Sequence, residues 1–114
     1  MNINKFTQKS IEAVQRCEKL AYEHGNQQIE QAHLLYSLLT IEDSLIKNLI
    51  SKMNISAEMF TDEAEREVEK LPKVSGSGQV YVSADLNKVL INAEDEAKAM
   101  GDEYVSVEHL FLSM

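Results

Sequence analysis

His33 and His109 are the first candidates for chemistry. Each is an imidazole followed by leucine, the two lie 76 residues apart, and carboxylates stand close by at Glu30 and Glu108. Imidazole and carboxylate are zinc-type donors, but two histidines need further ligands drawn into a tight tetrahedral geometry. Duplication of one segment accounts for the pair without a metal, so both are expected as packed or capping histidines. Cys17 is the single cysteine. It excludes an internal disulfide and a paired metal thiolate, and its helical setting suits a small buried hydrophobe. Ser75-Gly76-Ser77-Gly78 has the glycine content of a phosphate loop but not its lysine or its strand-to-helix setting. Ser83-Ala84-Asp85 has no base or orienting partner in view. No catalytic residue, metal or cofactor is expected in this chain, and hence no enzyme.

The elements around these residues read as helices. One proline and four glycines in 114 residues leave long stretches without helix breakers. Thr7 is placed to cap a first helix, with Phe6 stapled onto Ile11, a stripe of Ile11, Val14, Cys17 or Glu18, and Ala21, and a stop at Gly25-Asn26. A second helix starts near Gln31 and carries Leu34, Leu35, Leu38 and Leu39; a short third one carries Leu45, Ile46, Leu49 and Ile50. Ser56 caps a fourth, with Ile55 stapled onto Phe60 and a stripe of Phe60, Ala64 and Val68 beside a solvated charged face. Ser83 caps a fifth with Leu86, Val89, Leu90, Ala93, Ala97 and Met100, ended by Gly101-Asp102, and Ser106 caps a sixth. Between the fourth and fifth, Leu71-Pro72-Lys73-Val74-Ser75-Gly76-Ser77-Gly78-Gln79 reads as a linker.

The two parts of the chain match at the histidine offset throughout. Glu18 falls on Glu94, Ala21 on Ala97, Gly25 on Gly101 and His33-Leu34 on His109-Leu110, while Thr7, Asn26, Ile29 and Leu35 meet Ser83, Asp102, Val105 and Phe111. A shared register of cap, glycine stop and His-Leu step is the mark of an internal repeat. The expected fold is therefore all-α: one domain over 1–114, with a first repeat at about 4–70, a linker at 71–81 and a partial second repeat at 82–114. Two pseudo-twofold-related units packed face to face leave a seam in which a ligand groove is expected. Residues 42–70 have no counterpart after Met114, so the second repeat is read as truncated. Leu110, Phe111 and Met114 are then expected to be partly uncovered, a patch suited to a partner surface.

The formal charge of −8 and the absence of any lysine or arginine run exclude phosphate-backbone binding and an anionic membrane face. No apolar run approaches the roughly 20 residues a membrane span needs. With neither leader nor signal core at Met1–Lys5, a cytoplasmic location is expected.

Together Phe6-Thr7, Gly25…His33-Leu34-Leu35, Gly101-Asp102…Glu108-His109-Leu110 and the Leu71-Pro72-Lys73-Val74-Ser75-Gly76 linker resemble the double-repeat N-terminal domain of Clp chaperones. These are AAA+ ring machines that unfold or disaggregate proteins. The linker is most similar to the ClpB disaggregase branch. The resemblance implies capture of exposed apolar segments of unfolded or aggregated polypeptides. It also implies attachment to ring domains that hold ATP, assemble as a hexamer and lie outside this chain. Three polar surface positions of that family map onto Thr7, Asp102 and Glu108, and an apolar seam position maps onto Leu90. Asn92 and His109 stand where relatives often have leucine, which implies a more polar seam. In the ClpC branch two glutamates before the paired histidines grip phosphoarginine; here Glu108 is present but the other position is Ala32, which removes half of the clamp. Each polar position also has a local role: Thr7 as N-cap, Asp102 as turn residue and Glu108 as a first-turn carboxylate. The competing reading is a stand-alone adaptor that kept the repeat without ATPase domains.

Overall fold

The computed structural model describes residues 3–74 and 79–114; the Ser75–Gly78 part of the expected linker lies outside the described residues. Six helices follow a short 3-10 turn at Ile3–Lys5: α1 (Gln8–Glu23), α2 (Gln31–Thr40), α3 (Leu45–Lys52), α4 (Ala57–Glu69), α5 (Ala84–Ala99) and α6 (Val107–Leu112). The all-α expectation holds. Four helices start where the sequence places a hydroxyl cap. Thr7, Ser56 and Ser83 each accept from the backbone N–H three residues on, and Ser106 sits at the N-cap of α6. Ser44 adds a cap at α3 that the sequence reading did not mark.

The buried faces refine the expected stripes. In α5, Leu86, Val89, Leu90, Ala93 and Ala97 are buried as expected, but Met100 is 56% exposed. In α1 the buried line is Ser10, Ala13, Cys17, Leu20 and Ala21, with Ile11 and Val14 only half buried at its edge. Of the four apolar residues in α3, only Ile46 and Ile50 reach the core. Ile55, expected as a staple, is 42% exposed. Leu110, expected to be uncovered, is fully buried; Phe111 is half buried and packed on the core, and the exposed side chains at this end are Leu112 and Met114.

Two strands of two residues, β1 (Gln28–Ile29) and β2 (Tyr81–Val82), pair in parallel with Gln28 opposite Tyr81 and Ile29 opposite Val82. Strands this short carry no period in the sequence, and Tyr81 lies inside the expected linker. A matching bridge joins Phe6 to Val105. Both pairings obey one rule: Phe6 and Val82 are repeat equivalents, and so are Ile29 and Val105. The N–H of Thr7 donates to the Val105 carbonyl at 2.9 Å, and the N–H of Ser83 donates to the Ile29 carbonyl at 3.0 Å. In a two-fold interface residue i meets j of the other unit while j meets i, which is what these paired bonds do within one chain. The helices follow: α1 packs on α6 and its equivalent α5 packs on α2, while the equivalent pair α2 and α6 meet each other.

A single core runs through both units, from Phe6, Leu34, Leu38 and Leu39 to Leu86, Leu90, Val105 and Leu110. Truncating one of these leucines to alanine costs about 2–5 kcal/mol, because the site cannot fully collapse around the missing atoms. Cys17 lies in this core. Its thiol donates to the Ala13 carbonyl at 3.2 Å, and burial pushes its pKa up to about 12, so it has no thiolate to react with.

Candidate functional site

The loop between α5 and α6 gathers most of the residues singled out in the sequence. Its backbone is set by Gly101, whose φ of +74° is left-handed and suits glycine. The N–H of Asp102 then reaches back to the Ala97 carbonyl at 2.8 Å and closes the helix end. From this turn the Asp102 carboxylate accepts from His109 Nε2 at 2.9 Å. On the other side of the ring, His109 Nδ1 accepts from the backbone N–H of Ser106 at 2.8 Å. A backbone N–H can only donate, so Nδ1 carries the lone pair and the ring hydrogen sits on Nε2, facing Asp102. The Ser106 hydroxyl donates to Glu108 Oε2 at 3.1 Å. Asp102, Ser106, Glu108 and His109 thus form one hydrogen-bonded cluster over the start of α6.

Thr7 joins this cluster through the backbone. Its N–H holds Val105, the residue before Ser106, and its hydroxyl caps α1 by accepting from the Ser10 N–H at 3.3 Å. The Ser10 hydroxyl lies 2.8 Å from both the Thr7 and the Val105 carbonyl oxygens, tying the start of α1 to the α5–α6 loop. Thr7 and Glu108 are half buried and Asp102 is 48% exposed, so the three polar positions are carried by one region at the junction of the two units.

Leu90 is placed differently. At 1% exposure it lies inside the core. It offers a ligand no surface, which corrects the expectation of an apolar contact there. Of the two departures from leucine, Asn92 is exposed and His109 is buried. The exposed apolar side chains beside the polar positions are Met100 and Tyr104, at 56% and 51%, one on each side of Gly101–Glu103. Sequence reading missed both. Met100 fitted the helical stripe, and Tyr104 belongs to no periodic element; its position two residues after the Gly-Asp stop was the available signal. A pocket of about 260 Å³ opens beside the loop, lined among others by Lys5, Glu94, Lys98, Asp102 and Glu103.

The equivalent loop of the first unit has the same construction. Gly25 has φ +70°, and the Asn26 N–H bonds the Ala21 carbonyl at 2.8 Å. His33 Nδ1 accepts from the Glu30 N–H at 2.9 Å, and His33 Nε2 donates to Asn26 Oδ1 at 2.9 Å. Burial, and then the nearby His24, hold the His33 imidazole below its usual pKa. Both histidines therefore spend their two nitrogens on the fold, one capping a helix start and one fixing the preceding turn. Among the described residues no group of three or more His, Cys, Asp and Glu side chains is arranged to hold a metal ion. No helix among them is long and apolar enough to cross a membrane.

Comparison with known proteins agrees with this construction. The model of the Clp repeat (R) N-terminal domain matches residues 5–114. The chain is 42% identical over 115 residues to Chaperone protein ClpB of Nitratidesulfovibrio vulgaris, covering 97% of this chain and 13% of that protein. It is 43% identical over 114 residues to Chaperone protein ClpB of Porphyromonas gingivalis, covering 100% of this chain and 13% of that protein. The chain therefore spans about an eighth of the length of these relatives. Among solved structures, the Hsp104 N-terminal domain from Candida albicans matches with a TM-score of 0.88 at 22% identity, over 96% of this chain and 72% of that one. The N-terminal domain of the ClpV1 ATPase from E. coli matches with a TM-score of 0.87 at 17% identity, over 97% of this chain and 68% of that one. At these identities the two structures show a common fold. The relatives do not favour the stand-alone adaptor. From its repeat, its paired loops and these matches, the chain belongs to the Clp repeat (R) N-terminal domain family, and it is similar to Chaperone protein ClpB over about an eighth of that protein's length.

Proposed function

We propose that this chain is the polypeptide-binding module of a ClpB-type disaggregase and captures exposed apolar segments of unfolded or aggregated proteins without chemistry of its own. The observation that carries this reading is the composition of the α5–α6 loop. Two exposed apolar side chains, Met100 and Tyr104, flank half-exposed Asp102, next to Glu108 and Thr7. An aromatic ring and a thioether give adaptable apolar contact, and the polar groups around them bond backbone or side chains of many sequences. A surface of this kind suits weak, sequence-tolerant capture, since an unfolded segment loses entropy when it is ordered. ATP binding, hexamer formation and threading belong to ring domains of the parent chaperone, and its location is the cytoplasm.

Binding of fluorescently labelled, natively unfolded casein, followed by anisotropy, tests this. Replacing Thr7, Asp102 and Glu108 together by alanine is expected to weaken binding at least tenfold while circular dichroism retains the helical signal. A Met100→Ser, Tyr104→Ser pair is expected to do the same. Unchanged affinity in both variants would remove the loop as the site.

A further inference from the structure

The segment that leads out of α4 towards the second unit is held to the first by very little. Leu71 is half buried, and Pro72, Lys73 and Val74 are exposed. Among the described residues two hydrogen bonds tie Pro72–Val74 to the loop after α1. The Val74 N–H donates to the Gly25 carbonyl at 2.8 Å, and the Asn26 amide donates to the Pro72 carbonyl at 3.0 Å. A cavity of about 160 Å³ lies beside them, lined among others by Gln28, Glu30, Leu71 and Pro72, so the segment is not packed in on that side. Few buried apolar contacts and exposed backbone bonds mark a segment that opens locally at low cost.

One ring sets the position of that loop. The Asn26 amide turns its Nδ2 to Pro72 because its Oδ1 accepts from His33 Nε2 at 2.9 Å. His33 can make that bond and also accept from the Glu30 N–H at 2.9 Å only as the neutral tautomer with its hydrogen on Nε2. A proton on Nδ1 would face the Glu30 N–H, donor against donor, where the ring is fully buried. The ring cannot keep both partners in that form and has to withdraw from the loop. The charged or titratable groups that bear on it are His24, at the end of α1, and Glu30, ahead of α2. The helices α3 to α6, which also pack on α2, add none among the described residues. Burial first, and His24 after it, oppose the proton while Glu30 favours it, and the balance holds the ring below its usual pKa.

We propose that His33 is a proton-operated latch on the segment joining the two repeats: in acid the imidazolium leaves Asn26 and Glu30, and Pro72–Val74 parts from Gly25-Asn26. The open form takes up the proton as an ordinary histidine does, at about pH 6.5, and the latched form resists it. The latch is therefore closed above that pH and opens as pH falls below it, by up to about tenfold in population per pH unit. The second unit is wired differently, since His109 Nε2 faces the carboxylate of Asp102, which has no donor to pass on to a backbone carbonyl. Acid thus loosens the join between the units from the first unit's side, independently of polypeptide capture.

The test is amide hydrogen exchange of the isotopically labelled chain at pH 7 and pH 5, corrected for the intrinsic pH dependence of exchange. Protection of the Val74 N–H is expected to lie below that of the core Leu38 N–H at both values, and to fall about tenfold from the first to the second. His33→Gln, which does not titrate, is expected to abolish that fall. The ring nitrogen shifts of the unsubstituted chain give a second reading that needs no variant: at pH 7 His33 is expected with its hydrogen on Nε2 and none on Nδ1. Unchanged Val74 protection, protection equal to that of Leu38, or an undiminished fall in His33→Gln overturns the proposal. So does a His33 ring that carries its hydrogen on Nδ1 at pH 7.

Discussion

The loop that closes α1 and the loop that closes α5 share a backbone and differ in company. Both turn on a left-handed glycine, both return an N–H to the helix, and both are pinned by a histidine that also caps the following helix. The first bonds Pro72–Val74 and uses the neutral amide of Asn26; the second carries the carboxylate of Asp102, which is 48% exposed. Duplication supplied two equivalent turns. Among the described residues the first bonds Pro72–Val74, while Met100 and Tyr104 are exposed beside the second. The comparison teaches that equivalence in a repeat identifies a scaffold, whereas function is to be sought where the equivalence breaks.

The largest expected effect comes from the pinning histidines. His33→Ala leaves the Glu30 N–H and the Asn26 side chain without their buried partner and is expected to cost about 2–3 kcal/mol in urea unfolding. His109→Ala is expected to cost less, because half-exposed Asp102 can turn to water. A reversed order would break the asymmetry. Next, Asn26→Asp removes the donor to Pro72 and sets a carboxylate against a carbonyl, for an expected loss of about 1–2 kcal/mol. Asp102→Asn keeps an acceptor for His109 and is expected to change stability by less than about 0.5 kcal/mol.

A pH series sharpens the same contrast. Folded His33 takes up a proton less readily than the unfolded chain does, so stability is full above the unfolded value of about 6.5 and is lost as pH falls below it. Melting temperature is expected to decline between pH 7 and pH 5, and His33→Gln is expected to flatten that part of the decline. A wild-type slope retained in His33→Gln would assign it to other groups. Smaller effects than at His33 are expected at the paired caps, where Thr7→Ala and Ser83→Ala each remove one N-terminal acceptor for about 1 kcal/mol. A much greater loss at Thr7 would mean that its side chain also holds the junction between units.

Much of this arrangement was legible in the sequence because it is local or periodic. Caps at Thr7, Ser56, Ser83 and Ser106, the glycine stops, and the repeat register rest on residue types with few alternatives at those positions. The pairings of Phe6 with Val105 and Ile29 with Val82 were not legible as strands, since two residues show no alternation. They follow once the repeat is known, because the partners exchange under the same offset. Burial was less legible at helix edges. Leu45 and Leu49 fit an apolar stripe as well as Ile46 and Ile50 do, and only packing decides between them. The candidate site divides in the same way. Asp102, Glu108 and Thr7 stand at one junction, while Leu90, named with them, is interior, and Met100 and Tyr104 are exposed for reasons that lie in tertiary packing.

The central claim is that the second-unit loop, not its equivalent in the first unit, receives unfolded polypeptide. A chemical-shift titration of the labelled chain with casein tests it directly. Progressive shifts at Thr7, Met100, Asp102, Tyr104 and Glu108, with Gly25 and Asn26 unmoved, are the expected result. Equal shifts at both glycine turns, or shifts confined to the acidic face of α4 around Glu63–Lys70, would contradict it.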